Sequence, residues 1–169
     1  RLLTADEGGL APNFPDDETM LRDAVTAMER AGYRPGEDLG LAIDVASSHF
    51  YADGHYHLNG QNLTGTEMIA QIERWTRAYP LISVEDGLSE EDWAHWTQLT
   101  AALPSRVLTL GDDLLCTNPE RIGEAIRLQA ATALLLKVNQ IGTFTEAAQA
   151  ARLARSAGWQ IVVSARSGE

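Results

Sequence analysis

Cysteine, lysine and long hydrophobic segments are scarce in this 169-residue sequence. The one cysteine, Cys116, excludes an intrachain disulfide and a metal site built from several thiolates. No apolar run approaches the roughly 20 residues that a membrane-spanning helix needs, and no signal peptide is visible. We therefore expect a globular protein of a reducing, cytoplasmic compartment, with no membrane partner.

Acidic residues outnumber basic ones: the chain has 24 Asp and Glu but 13 Lys and Arg, which gives a net charge of −11. Without a basic cluster, this balance argues against direct nucleic-acid binding, which depends on neutralising phosphates. The hydrophobic fraction of 44% is too high for a disordered chain, and the length suits a single domain. All the basic residues except Lys137 are arginines.

Five short apolar runs alternate with longer segments of helical periodicity. Short runs that are apolar at nearly every position predict strands buried on both faces, as in parallel sheets. Helix signals lie between the runs, among them a capping box that begins at Ser89 and the pair formed by Asn118 and Pro119. The runs cover residues 39–45, 81–84, 107–110, 133–138 and 159–163, and helices are expected to begin near residues 16, 64, 89, 118 and 143.

About five βα units in succession predict an α/β fold with a parallel sheet. No Gly-rich dinucleotide fingerprint follows the first run, so the pattern alone leaves open a doubly wound sheet and a (β/α)8 barrel. The stretch 48–63 interrupts the repeat. Within it, Asp53 and Gly54 lie between aromatic residues and predict a small hairpin inserted after the first strand.

Charged residues close the apolar runs, at positions that parallel strands would bring to one edge of a sheet. The carboxylates among them are Asp44, Glu85 and Asp112. Like charges held together are costly unless a cation neutralises them, and oxygen ligands without Cys or His favour Mg²⁺. The pattern therefore predicts a Mg²⁺ site. The alternative is that these acids are ordinary loop residues or helix caps.

Lys137 lies inside an apolar run, in a chain that uses arginine wherever else it needs a base. Arginine cannot lose its proton near neutral pH, whereas a desolvated lysine can. A solitary lysine at a predicted strand end therefore suggests proton transfer. The alternative is an exposed lysine on an edge strand, with its stem along apolar surface.

Six motifs, in order and covering nearly the whole chain, resemble those of the enolase family. The segment at 164–169 differs from the family form SHRSGE at one position, Ala165. The six motifs are DEGGLAPN at 6–13, DVASS at 44–48, SVEDG at 83–87, GDDLLCTN at 111–118, LLKVNQIG at 135–142 and SARSGE at 164–169.

The resemblance implies a Mg²⁺-dependent lyase of glycolysis that interconverts 2-phosphoglycerate and phosphoenolpyruvate. It implies part of an enolase-type (β/α)8 barrel, so that residues 1–169 form an incomplete C-terminal domain without the N-terminal α+β domain and the barrel ends. It also implies a cytoplasmic homo-oligomer, although family members occur at the cell surface or secreted. The implied roles are metal ligation by Asp44, Glu85 and Asp112, proton abstraction by Lys137, proton donation by Glu7, and phosphate binding by Arg166 and Ser167.

Two alternatives remain beside this interpretation. One is another member of the wider enolase superfamily that abstracts an α-proton, against which the full set of motifs argues. The other is a catalytically silent enolase-like module that serves as an interaction partner. Ala165, which stands where the family motif has histidine, motivates the second alternative.

Overall fold

The structure, a computed structural model, describes residues 9–167 and divides the chain into two compact units, Arg1–Gly40 and Leu41–Glu169. The first unit contains helix α1 (Asp17–Arg30). Its N-cap is Asp16, whose carboxylate accepts the backbone N–H of Thr19 over 2.6 Å. The helix predicted to begin near residue 16 is therefore confirmed.

As far as residue 167, the second unit combines eight strands with five helices. In chain order the strands are β1 (Leu41–Asp44), β2 (Tyr51–Ala52), β3 (His55–Leu58), β4 (Gln61–Leu63), β5 (Leu81–Glu85), β6 (Leu108–Gly111), β7 (Ala133–Leu136) and β8 (Gln160–Val163). The helices are α2 (Gly65–Ala78), α3 (Trp93–Ala102), α4 (Pro119–Leu128), α5 (Val138–Ile141) and α6 (Phe144–Ser156), with 3-10 turns at Ser47–Phe50 and Ala165–Ser167. None of the helices within residues 9–167 is long and apolar enough to cross a bilayer.

Five strands form one parallel sheet in the order β1-β5-β6-β7-β8. The spatial order follows the chain order without a reversal, whereas a doubly wound sheet reverses its strand order at a switch point. The predicted α/β fold is confirmed, and the strand order selects the barrel type. Burial is greatest in the central strands; Leu134 of β7 is fully buried, while Val163 of β8 is 65% exposed.

The local capping signals explain where most helices begin. Thr64 forms a capping box with Glu67 at the start of α2, and Asn118 caps α4 with Pro119 in its first turn. Thr143 caps α6 by accepting the backbone N–H of Glu146. The helix starts predicted near residues 64, 118 and 143 are therefore confirmed.

The capping box predicted at Ser89 is wrong. Helix α3 begins at Trp93, and its N-cap, Asp92, makes no side-chain capping bond. The Asp92 carboxylate is used elsewhere, because it accepts the Tyr56 hydroxyl over 2.7 Å and lies 2.7 Å from the His95 ring nitrogen Nδ1. A tertiary contact with β3 thus displaces the local cap.

Two further boundaries differ from the sequence prediction. The apolar run 133–138 is a strand only as far as Leu136, because Lys137 is already the N-cap of the one-turn helix α5. The stretch 48–63 contains the predicted hairpin turn, but a third strand, β4, adds to it and completes a small antiparallel sheet in the order β2-β3-β4.

Tyr56 fastens this inserted sheet to the loop that follows β5. Its side chain is fully buried. Its hydroxyl donates to Asp92 and accepts the backbone N–H of Ser89 over 3.1 Å. Removing the hydroxyl would leave a largely buried carboxylate oxygen and a backbone N–H without this partner, and a substitution that removes one partner of a buried hydrogen bond costs about 1–3 kcal/mol.

We therefore predict that Tyr56→Phe lowers the free energy of unfolding by about 1–3 kcal/mol. Urea denaturation measures this change. The matched control is Tyr51→Phe, because the Tyr51 ring packs on Tyr56 with centroids 4.6 Å apart but no hydrogen bond joins it to Asp92 or Ser89. Equal losses for both variants would show that the hydroxyl of Tyr56 is not the anchor.

Candidate active site

The carboxyl ends of the parallel strands bring charged residues to one edge of the sheet. Asp44 and Glu85 are register partners on β1 and β5. Asp112 directly follows β6, and Lys137 directly follows β7, the strand paired with β6. We call these four residues the strand-end site.

A buried ion pair joins two members of the strand-end site. Nζ of Lys137 donates to Oδ2 of Asp112, and the two side chains are only 12% and 9% exposed, respectively. The other carboxylate oxygen, Oδ1, accepts a 3.2 Å hydrogen bond from Nε2 of Gln140. Because β7 lies between β6 and β8, the alternative of an exposed lysine on an edge strand is wrong.

Thr117 fixes the backbone at the lysine. Its hydroxyl is fully buried and accepts the backbone N–H of Lys137 over 2.9 Å. The same hydroxyl oxygen lies 3.1 Å from Oε1 of Gln140 and 3.4 Å from the carbonyl oxygen of Leu135. Thr117 and Gln140 thereby link the lysine backbone, the lysine ammonium and Asp112 in one network. The sequence motifs contain both residues, but neither carries a charge that would have singled it out.

Burial and neighbouring carboxylates disfavour the ionised forms of two strand-end residues, Asp44 and Glu85. Burial, reinforced by the charges of Asp44 and Asp112, raises the pKa of Glu85 to about 8. Burial also raises the pKa of Asp44, although the backbone N–H of Ala46 donates to its carboxylate over 2.9 Å and opposes the rise. A cation among these oxygens would offset their repulsion, and an oxygen-only donor set suits a hard divalent ion.

The oxygens that lie closest together nevertheless belong to a different set. One carboxylate oxygen from each of Asp86, Asp112 and Asp113 lies within 4.8 Å of the others, whereas the predicted ligands Asp44, Glu85 and Asp112 form no such group within residues 9–167. Burial raises the pKa of Asp86 to about 7, although two backbone hydrogen bonds oppose this rise. Asp86 and Asp113 had no predicted role.

Three predicted site residues remain, and the structure describes the side chain of only one of them, Arg166. Glu7 precedes the described residues, and nothing is described for the side chain of Ser167. Arg166 lies in the 3-10 turn after β8, where its backbone N–H donates to Oγ of Ser164 over 3.2 Å. Within residues 9–167, no hydrogen bond or ion pair joins its guanidinium to the strand-end carboxylates. Ser164 in turn donates its backbone N–H to the carbonyl of Leu136, so this turn begins beside the end of β7.

Comparisons with known proteins point to one family. The family model described as the C-terminal TIM barrel domain of enolase matches residues 3–169. The chain is 49% identical to enolase of Acidothermus cellulolyticus, and 48% identical both to enolase of Beutenbergia cavernae and to Enolase 1 of Methanospirillum hungatei. These alignments cover 97% of this chain but only 38–39% of each relative. The chain belongs to the family of enolase C-terminal TIM barrel domains.

Proposed function

We propose that this chain is part of an enolase that interconverts 2-phosphoglycerate and phosphoenolpyruvate with the help of Mg²⁺. One observation carries the proposal: a chain of this family holds its only lysine buried against Asp112, at the sheet edge that also bears Asp44 and Glu85. A buried amine beside several carboxylates is an arrangement suited to moving a proton next to bound metal and substrate.

Asp44, Glu85 and Asp112 would hold the Mg²⁺, because all three offer oxygen ligands at adjoining strand ends. When bound, Mg²⁺ supplies the positive charge that offsets the negative charge developing on the substrate carboxylate. Burial is the main cause of the raised pKa values of Asp44 and Glu85, and a cation among their oxygens would favour the ionised forms that bind it.

Lys137 would take the proton from the carbon next to the substrate carboxylate. In its neutral form the amine has a lone pair for this proton, which an arginine would not offer. Thr117 holds the lysine backbone and Gln140 holds the carboxylate partner, so these contacts restrict where the amine can lie when it accepts the proton.

Glu7 would supply the proton that the departing hydroxyl needs in the same direction of reaction. A protonated carboxyl group there would give its proton to the departing hydroxyl, which leaves as water, while the electron pair from the broken C–H bond forms the new double bond. Arg166 and Ser167 would bind the phosphate, because a guanidinium matches phosphate oxygens with two parallel hydrogen bonds. These three roles rest on the family resemblance.

The test is the ultraviolet absorbance of phosphoenolpyruvate formed from 2-phosphoglycerate by the intact protein. We expect turnover with Mg²⁺, its loss on chelation with EDTA, and its return when Mg²⁺ is restored. Absence of turnover in a folded protein that binds Mg²⁺ would contradict the proposal.

Ala165 favours a second candidate, an enolase-like module without catalysis. It stands where the family motif has histidine, next to the residue expected to bind phosphate. Calorimetry with Mg²⁺ separates the two candidates further. A degenerate site should bind the ion weakly or not at all, whereas tight binding together with turnover excludes the silent module.

A further inference from the structure

Asp86 receives two consecutive backbone N–H groups on its carboxylate. Oδ1 accepts the N–H of Asp112 over 3.0 Å, and Oδ2 accepts the N–H of Asp113 over 2.7 Å. Asp86 is only 3% exposed, so these bonds lie almost entirely out of water. Hydrogen bonds to a buried charged group are among the stronger ones in proteins.

The backbone of Asp86 makes two more connections between strand ends. Its N–H donates to the carbonyl of Leu110 on β6 over 3.1 Å, and its carbonyl accepts the N–H of Ser47, just beyond β1, over 3.1 Å. One residue at the end of β5 therefore joins the ends of three adjacent strands through four hydrogen bonds.

The backbone conformation of Asp86 is itself unusual. Its φ of +40° lies in the left-handed region, which is strained for a non-glycine residue. Such a conformation persists only where surrounding contacts determine it. The four hydrogen bonds supply those contacts and tie this conformation to the placement of residues 112 and 113.

The surroundings of the Asp86 carboxylate suit a group that accepts backbone hydrogen bonds better than a metal ligand. Each of its oxygens faces the positive end of a backbone N–H dipole, and such dipoles repel a cation. Asp112 differs, because its oxygens meet side chains, Lys137 and Gln140, that can rearrange. Proximity of Asp86 to Asp112 and Asp113 thus does not make it a ligand.

We infer that Asp86 is a positioning residue, which does not bind the metal but orients Asp112 toward the ion and toward Lys137. The inference rests on the proposed function for its consequence in Mg²⁺ binding. The carboxylate clamps the two N–H groups that follow β6, and this fixes the direction in which the Asp112 side chain leaves the sheet edge.

Asp86→Asn tests the clamp in the intact protein. The asparagine oxygen can accept one N–H, but its NH₂ group would face the other backbone donor. We expect hydrogen–deuterium exchange, measured without metal or substrate, to rise at residues 112–113. We expect Mg²⁺ affinity by calorimetry to fall about 10–100-fold, the range found when a group supporting a metal ligand is lost.

Asp113→Asn is the matched control, because it removes one charge from the same cluster but leaves the backbone N–H of residue 113 in place. Exchange at 112–113 should stay as in the wild type, and Mg²⁺ affinity should change less than in Asp86→Asn. Equal changes in the two variants would reduce the effect to charge and overturn the inference.

A crystal structure of the wild-type intact protein with Mn²⁺ in place of Mg²⁺ decides the matter even if Asp86→Asn does not fold. We expect Asp86 to keep both N–H bonds and to lie outside the coordination shell, and an Asp86 oxygen bonded to the ion would overturn the inference. The exchange readout needs no substrate. Increased exchange in Asp86→Asn together with absent wild-type turnover would therefore refute the proposed function and leave the clamp intact.

Discussion

Replacing Lys137 with alanine in the intact protein is expected to lower the rate of phosphoenolpyruvate formation by about 10²–10⁴-fold, the contribution typical of one positioned general base. The change removes the only lysine in the chain, from a place where its Nζ is held against Asp112. The 169 residues contain no second lysine that could take over the proton transfer. The measurement is the absorbance assay at saturating Mg²⁺.

Lys137→Arg distinguishes a base from a mere positive charge. Arginine keeps the charge opposite Asp112 but cannot release its proton at neutral pH. We expect Lys137→Arg to preserve folding better than Lys137→Ala does, and to leave turnover as low as in Lys137→Ala. Recovery of turnover in the arginine variant would contradict the assignment of Lys137 as the base.

Asp112→Asn is expected to have the second large effect, because this residue serves two partners. As a proposed metal ligand it would supply a charged oxygen, so Mg²⁺ affinity measured by calorimetry should fall by more than the 10–100-fold expected for a supporting residue. Asp112 is also the counter-ion of Lys137, and its side chain is only 9% exposed. Removing one partner of a buried ion pair typically lowers the free energy of unfolding by about 3–5 kcal/mol. We expect a loss of about 3 kcal/mol, at the lower end of this range, because the substitution also relieves repulsion with neighbouring carboxylates.

Asp113→Asn again serves as the control for Asp112→Asn. It removes the same charge from the neighbouring position, and no ion pair joins Asp113 to Lys137 within residues 9–167. A loss of unfolding free energy in urea as large in Asp113→Asn as in Asp112→Asn would show that the ion pair contributes nothing specific.

Much of the fold could be predicted from the sequence because the relevant signals are local. Apolar runs marked the five parallel strands, and the caps at Thr64, Asn118 and Thr143 marked helix starts. The capping box predicted at Ser89 failed because the Asp92 carboxylate binds the hydroxyl of Tyr56, 36 residues away. Strand β4 was missed because its three residues carry no apolar pattern.

In the candidate site, the charged residues could be predicted from the sequence, whereas residues whose role depends on tertiary contacts could not. Charge and position were enough to propose Asp44, Glu85, Asp112 and Lys137, since parallel strands bring their ends to one edge. Periodicity could not reveal Asp86 as a clamp, because its role depends on backbone donors that belong to the next strand's loop. A buried hydroxyl such as that of Thr117 is equally silent in the sequence.

The central claim is that Lys137 removes the proton from the carbon beside the substrate carboxylate. The most direct measurement is exchange of that hydrogen of 2-phosphoglycerate with deuterium from solvent, followed by proton NMR in D₂O with Mg²⁺ and the intact protein. The account predicts exchange in the wild type and its loss in Lys137→Ala and Lys137→Arg. Exchange that persists in both folded variants, or that is absent from the wild type, would contradict it.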